Sequence, residues 1–200
     1  MEEKIIKSFK FELRLNKWQK KQCKQYGGIC RYVWNKLLER KKRDYAQEGK
    51  TLTEFDLNKI ITTWKPRYPW LCVAPSQALQ QVSKNLYQAF KNFFNGAGSP
   101  HFKRKGGKDS FRIPQGIRLL PQLSRKVGVV LLPKLKRVLF TKTLEIEGVI
   151  KFVTISREGD KWVISFTCEV AMEIVPQEKD FFIAAFDRGI SISLQCSDGT

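Results

Sequence analysis

Three groups of residues have the types and spacing to do chemistry, and two of them suit a polyanion. The densest is Pro100-His101-Phe102-Lys103-Arg104-Lys105-Gly106-Gly107-Lys108-Asp109-Ser110-Phe111-Arg112, where five lysines and arginines surround one acid. Cations can take phosphates, Phe102 and Phe111 can stack on bases, and glycines let a backbone come close. The plainer reading of the same run is a solvated loop anchored by two phenylalanines. The second group is the stripe Gln77, Gln80, Gln81, Lys84, Gln88 and Lys91. Glutamine can pair with adenine in a major groove, although an ordinary solvated helix face has the same spacing. The third is Asp187, at the end of the apolar run Phe181–Phe186. A carboxylate there is costly unless it is paired or binds a metal. Metal-dependent nucleases gather several such acids around Mg²⁺. The alternative is a turn aspartate satisfied by backbone amides and Arg188.

The composition favours the polyanion reading. Lys and Arg number 37 against 19 Asp and Glu, a formal net charge of +18 over 200 residues. Such a balance is the usual footprint of a nucleic-acid binder. A membrane surface is the other polyanion, but the charge is spread along the chain rather than gathered on one amphipathic helix. The sequence also lacks an apolar run of the ~18 residues that span a bilayer. The start, Met1-Glu2-Glu3-Lys4, has no hydrophobic signal core, so a cytoplasmic location is expected. The five cysteines form no CxxC pair and read as small core residues rather than a zinc site or a disulfide framework. His101 is the only histidine, which argues against His-rich metal centres and a Ser-His-Asp triad.

These groups need elements to hold them. Residues 4–15 alternate, with Phe9, Phe11, Leu13 and Leu15 on one face, and predict a half-buried strand. Asn16 with Gln19 predicts a capped helix start. The apolar positions Tyr26, Cys30, Val33, Trp34 and Leu37 continue that helix, and Gly27-Gly28 suggests a turn or a close crossing. Thr53-x-x-Asp56 opens a second helix, expected to stop before Pro66. Tyr68-Pro69-Trp70-Leu71 reads as a rigid connector. A third helix runs from about Pro75 to Asn95, with Leu79, Val82, Leu86, Ala89, Phe90 and Phe93 as its apolar stripe. After Gly96 the pattern turns to strand: Ser110–Ile113, Val127–Leu132, Arg137–Phe140, and a hairpin of Lys151–Arg157 with Lys161–Val170. Residues 176–180 read as a linker, followed by strands at Phe181–Phe186 and Ile190–Cys196. The first strand has no local partner and is expected to join the later ones. Trp162, Ile164, Phe166 and Cys168 should then share one core with Phe9, Phe11 and Leu13.

The pieces in this order resemble the transposon-encoded TnpB (OrfB) proteins, relatives of the type V CRISPR effectors. The matching stretches are Lys10-Phe11-Glu12-Leu13-Arg14-Leu15-Asn16, Cys30-Arg31-Tyr32-Val33-Trp34-Asn35, Tyr68-Pro69-Trp70-Leu71, Pro75-Ser76-Gln77-Ala78-Leu79-Gln80, Ala89-Phe90-Lys91-Asn92-Phe93-Phe94, Pro100-His101-Phe102-Lys103-Arg104-Lys105 and Val153-Thr154-Ile155-Ser156-Arg157-Glu158-Gly159. The resemblance implies an α+β chain. A small antiparallel wedge-type β-barrel (1–15 plus 99–175) would carry an inserted helical recognition lobe (16–98). The first strands of a RuvC-like, RNase H-like nuclease would follow at 181–200.

The resemblance also implies partners and roles: a guide RNA from the transposon end, a double-stranded DNA target, and Mg²⁺-dependent cleavage in a prokaryotic, nucleoid-associated setting. Asp187 and Gly189 match the family's Gly-Ile-Asp-x-Gly, whereas Ala185 and Arg188 depart from it. Asp187 is thereby the catalytic and metal-ligand candidate. Gln80 inherits a role in reading the target-adjacent motif. Ser76, Gln77, Lys84, Phe102, Lys103, Arg104, Lys105, Lys108, Phe111 and Arg112 are the other nucleic-acid contacts expected. The remaining acids of such a nuclease, and the family's zinc finger, would lie beyond Thr200, so this chain alone is expected not to cut. A binding-only relative is the competing expectation.

Overall fold

The computed structural model describes residues 2–49, 51–106, 109–173, 186–187 and 195–196. Lys4–Ala171 form one compact unit. It opens on strand β1 (Glu2–Arg14), whose alternation buries Phe9, Phe11 and Leu13 and leaves Lys10, Glu12 and Arg14 exposed. Helix α1 (Lys17–Glu48) follows. The Gln19 amide donates to Asn16 Oδ1 at 2.8 Å, and the Asn16 amide donates back to Gln19 Oε1 at 3.2 Å. This is the reciprocal box that satisfies amides with no partner inside the helix. The helix ends at Gly49, whose φ of 62° lies in the left-handed region that glycine enters without strain.

Gly27-Gly28 does not break α1. The pair permits a close crossing instead: a Cβ at Gly27 would stand 2.9 Å from Cβ of Asp109. A helical glycine costs roughly 1 kcal/mol against alanine, and here it lets the chain ahead of the next strand lie against the helix. Helix α2 (Glu54–Arg67) starts at a Thr53–Asp56 capping box, as its sequence predicts. It does not stop before Pro66 but runs one residue past it. Proline in a last turn forfeits only its own N–H, and the Tyr68 amide still reaches the Trp64 carbonyl at 2.8 Å. A short 3-10 turn (Pro69–Val73) leads into α3 (Ser76–Phe94). That helix buries Ala78, Leu79, Val82 and Leu86, but its expected stripe ends early, because Phe93 is 39% exposed.

The strands β2 (Ser110–Ile113), β3 (Arg118–Ser124), β4 (Val127–Leu132), β5 (Lys136–Thr141), β6 (Val149–Glu158) and β7 (Lys161–Glu173) join β1 in one antiparallel sheet. Its order is β2-β6-β7-β1-β5-β4-β3. The first strand thus finds its partners late in the chain, between β7 and β5, as its missing local partner implies. The expected closed barrel is not what the sheet forms: β2 and β3 stand at opposite ends of the order, which is open. Strand β3 has no counterpart among the sequence-based expectations. It is mostly exposed, contains Pro121, and slips register between Leu120 and Ser124. Proline and a bulge are features of an edge strand, and neither leaves an alternating signature.

Helices and sheet share a core. Phe11, Phe140 and Phe166 form an aromatic triangle with ring centroids 5.1, 5.9 and 5.4 Å apart. Trp162, Ile164, Phe166 and Cys168 are buried in the same cluster as Phe9, Phe11 and Leu13, as the alternation predicts. Cys23 and Cys30 are buried, and burial pushes both thiols up to about 12, so they are protonated packing groups. In the other unit, β8 (Phe186–Asp187) pairs antiparallel with β9 (Gln195–Cys196). The expected linker and the remainder of the last two strands lie outside the described residues.

Candidate nucleic-acid interface

Charge is divided unevenly along this fold. Strands β1, β6 and β7, with Glu147 just ahead of β6, carry a ladder of ion pairs: Lys7–Glu147 (3.1 Å), Lys10–Glu158 (2.7 Å), Lys161–Glu12 (2.9 Å), and Glu169 between Lys151 (2.7 Å) and Lys4 (3.2 Å). The middle of the chain is different. Residues 57–144 contain 17 Lys and Arg and a single acid, Asp109. That acid is already engaged, paired with Arg31 of α1 with both side chains mostly buried.

Residues 100–106 are held against α1 by the side chains of one helical stretch. The Trp34 indole N–H donates to the His101 carbonyl at 2.9 Å. Asn35 grips Lys103 twice: its amide nitrogen donates to the Lys103 carbonyl at 2.9 Å, and its oxygen accepts from the Lys103 N–H at 2.8 Å. The Lys103 ammonium lies 4.3 Å from the centre of the Trp34 ring. Desolvation there lowers its pKa from the ordinary lysine value, opposed by nearby Cys30. Lys103 is therefore partly consumed in anchoring the loop. Arg104 and Lys105 are exposed and, among the described residues, make no ion pair. The Phe102 ring is 53% exposed, with the Lys42 ammonium 5.5 Å from its centre.

Other expected contacts divide in the same way. Phe111, expected to stack on a base, is instead buried on β2 opposite Ile155 and packs edge-on against Tyr26 at 5.5 Å. Its neighbour Arg112 turns the other way, 4.0 Å from the Phe152 ring, where desolvation lowers its pKa. Lys108 lies outside the described residues. On α3, Ser76 accepts from Lys65 at 3.2 Å and Gln77 donates to Gln115 at 3.2 Å, whereas Gln80 and Lys84 are exposed and unengaged among the described residues. Ser76, Gln80 and Lys84 follow one another at four-residue spacing and so lie along one strip of the helix.

The loop and the approach to α3 border one groove of about 540 Å³. Its floor is α1 at Gly28, Arg31, Tyr32 and Asn35, with Trp70 and Val73 on the connector and Lys105 from the basic loop. Trp70 is 41% exposed and meets Tyr32 edge-on at 4.8 Å. Such a groove offers aromatic edges, amides and a cation together, the set that nucleic acid uses. Trp34, Asn35 and Arg31 were not among the expected site residues. Their role is positional, and the only hint in the sequence was their place within the Cys30–Asn35 stretch.

For Asp187 the structure gives a backbone position, opposite Gln195 in the β8–β9 pair. Among the described residues no three His, Cys, Asp or Glu stand close enough to hold a metal ion. A divalent cation takes about six oxygen ligands, so the described residues do not make up a Mg²⁺ site. No helix among them is long and apolar enough to cross a membrane.

Residues 1–50 match the OrfB/IS605 helix-turn-helix domain. Within that span the described residues form β1 followed by a single unbroken helix, Lys17–Glu48. Over 200 residues the chain is 34% identical to InsQ of Escherichia coli (strain K12), named as an inferred RNA-guided DNA endonuclease, covering 98% of this chain and 48% of that protein. A protein of Streptomyces pristinaespiralis with the same inferred activity in its name is 25% identical over 207 residues, all of this chain and 50% of its own length. The virulence protein VsdF of Salmonella dublin is 38% identical over 96 residues, 42% of this chain and 80% of that protein. The chain spans about half the length of the two endonuclease-named relatives. With that likeness running along nearly all its residues, the chain belongs to the transposon-associated TnpB (OrfB) family.

Proposed function

We propose that this chain is the nucleic-acid-binding part of an RNA-guided DNA endonuclease, holding a guide RNA from the transposon end and a double-stranded DNA target. The observation that carries this reading is the stretch 57–144, whose 17 cations face one already-paired acid, with its most basic loop fixed to α1. A fold rarely keeps so much like charge without a polyanion to neutralise it. In this reading the sheet is the wedge-type unit, α1–α3 are the recognition lobe, and β8–β9 begin the RuvC-like nuclease. Gln80 and Lys84 face DNA, and Arg104 and Lys105 take phosphates. Asp187 contributes one carboxylate to a Mg²⁺ site, and further acids are needed to complete it. The setting is the prokaryotic cytoplasm, at the nucleoid.

The test is purification of the chain from its own cells and sequencing of the bound RNA. One abundant structured species mapping to a transposon end supports the reading. A bulk mixture of cellular RNA, released without preference, would sink it. The departures at Ala185 and Arg188 favour a second reading, a relative that binds without cutting. Guide-programmed plasmid cleavage by the protein with its downstream acids, compared with Asp187→Ala, separates the two.

A further inference from the structure

The far ends of α1 and α3 enclose a recess distinct from the groove beside Lys105. Lys41, Lys42 and Tyr45 face Phe90, Phe93 and Phe94 around a mostly apolar pocket of about 200 Å³. Three of its aromatics are turned to solvent, Tyr45 at 58%, Phe94 at 63% and Phe93 at 39% exposed, and the Phe93 and Phe94 ring centres are 5.4 Å apart. Lys41, by contrast, is only 2% exposed. Its ammonium donates to the Leu52 carbonyl and sits 5.0 Å from the Phe90 ring centre and 5.9 Å from that of Tyr87. An ammonium has three N–H donors, and the structure gives Lys41 one hydrogen-bond acceptor.

Size, donors and surrounding charge narrow the occupant. A drug-sized ligand takes about 300–1,000 Å³, so this recess suits a single planar ring. Aromatic walls offer stacking faces, and the ammonium offers donors to a ring-edge carbonyl or ring nitrogen, which a hydrocarbon side chain from another protein could not use. Lys42 lines the pocket and its ammonium also lies 5.5 Å from the Phe102 ring centre, so one cation stands between the recess and the basic loop. We propose that it holds one unpaired nucleobase, with the flanking phosphates running along Lys42 toward Arg104 and Lys105. This rests on the nucleic-acid reading above and adds to it a single-strand site.

The experiment measures fluorescence anisotropy of labelled oligouridylate, oligothymidylate and a blunt DNA duplex with the chain and with Tyr45→Ala/Phe94→Ala. Both rings are exposed, so the fold should survive, which circular dichroism checks. Stacking on an aromatic is worth a factor of roughly 5 to 150 per base. The double variant should therefore lose about that much affinity for single strands while duplex affinity stays within about twofold. The uridylate and thymidylate arms tell an RNA base from a DNA base. Equal single-strand binding by both proteins would overturn the proposal. So would self-association of the chain in sedimentation velocity that Phe94→Ala abolishes with no effect on single strands, since the recess would then serve a second copy. If the chain binds duplex but neither single strand, only this inference falls. If it binds none of the three, the nucleic-acid reading falls as well.

Discussion

Along β1, β6 and β7 the lysines at 4, 7, 10, 151 and 161 each meet a carboxylate within 3.2 Å, whereas between residues 57 and 144 cations outnumber acids 17 to one. Both regions are rich in lysine and arginine, and composition alone would treat them alike. The difference lies in what the fold places opposite each cation. In the ladder, cross-strand neighbours neutralise one another and the surface needs nothing from outside. In the middle stretch Lys142 meets Glu145 and Asp109 is taken by Arg31, so most of the counter-charge must come from solvent ions or from a partner. A nucleic-acid surface is therefore marked less by its cations than by the acids withheld from it.

The largest effect should come from breaking what both regions stand on. Phe166→Ala opens the Phe11–Phe140–Phe166 triangle and should cost about 3–5 kcal/mol of stability in chemical denaturation, unfolding both regions together. Two separate transitions would mean that the ladder strands and the helices do not share one core.

Next in size is the clamp. Asn35→Ala removes both bonds to Lys103, each worth about 1 kcal/mol. Hydrogen exchange at residues 101–106 should rise, and RNA affinity should fall although no basic residue has changed. Unaltered exchange would show that Trp34 alone holds the loop.

The comparison itself is sharpened by salt dependence. Arg104→Ala/Lys105→Ala should reduce the logarithmic salt slope of RNA binding by about 0.7–0.9 per lost phosphate contact. Lys7→Ala/Lys10→Ala, which removes the same charge from the ladder, should leave the slope where it was. Equal changes in both pairs would erase the distinction between the two regions.

The smallest effect belongs to the ladder, where the pairs are exposed and screened by solvent and so contribute little each. Hydrogen bonds from Lys151 and Lys4 hold the Glu169 carboxyl below its ordinary pKa. A depressed carboxylate contributes stability above its unfolded value and loses it as pH falls through the folded one. Thermal unfolding followed downward from neutral pH should therefore show a slightly steeper acid limb than in Glu169→Gln, with the two proteins binding RNA alike at neutral pH. Matching acid limbs would show that the Glu169 pairs add nothing to stability.

What the sequence determined by itself was local. Period-two alternation placed β1 and the β6–β7 hairpin, and it put Phe9, Phe11, Phe166 and Cys168 inside, because on a strand every second side chain must share a face. Asn16 and Thr53 marked helix starts through bonds that span three residues. The missing partner of β1 even announced a long-range pairing without naming it. Tertiary structure decided the rest. Phe102 and Phe111 are alike in sequence, but β2 pairs with β6 and draws only Phe111 into the core. Gly27-Gly28 read as a turn or a close crossing, and only the fold showed that it is a seat for Asp109, 82 residues away from Gly27 in the chain. Strand β3 left no pattern because an exposed edge has no buried face to select one. Which cations stay unpaired was equally out of reach, since pairing depends on carboxylates that arrive from distant strands.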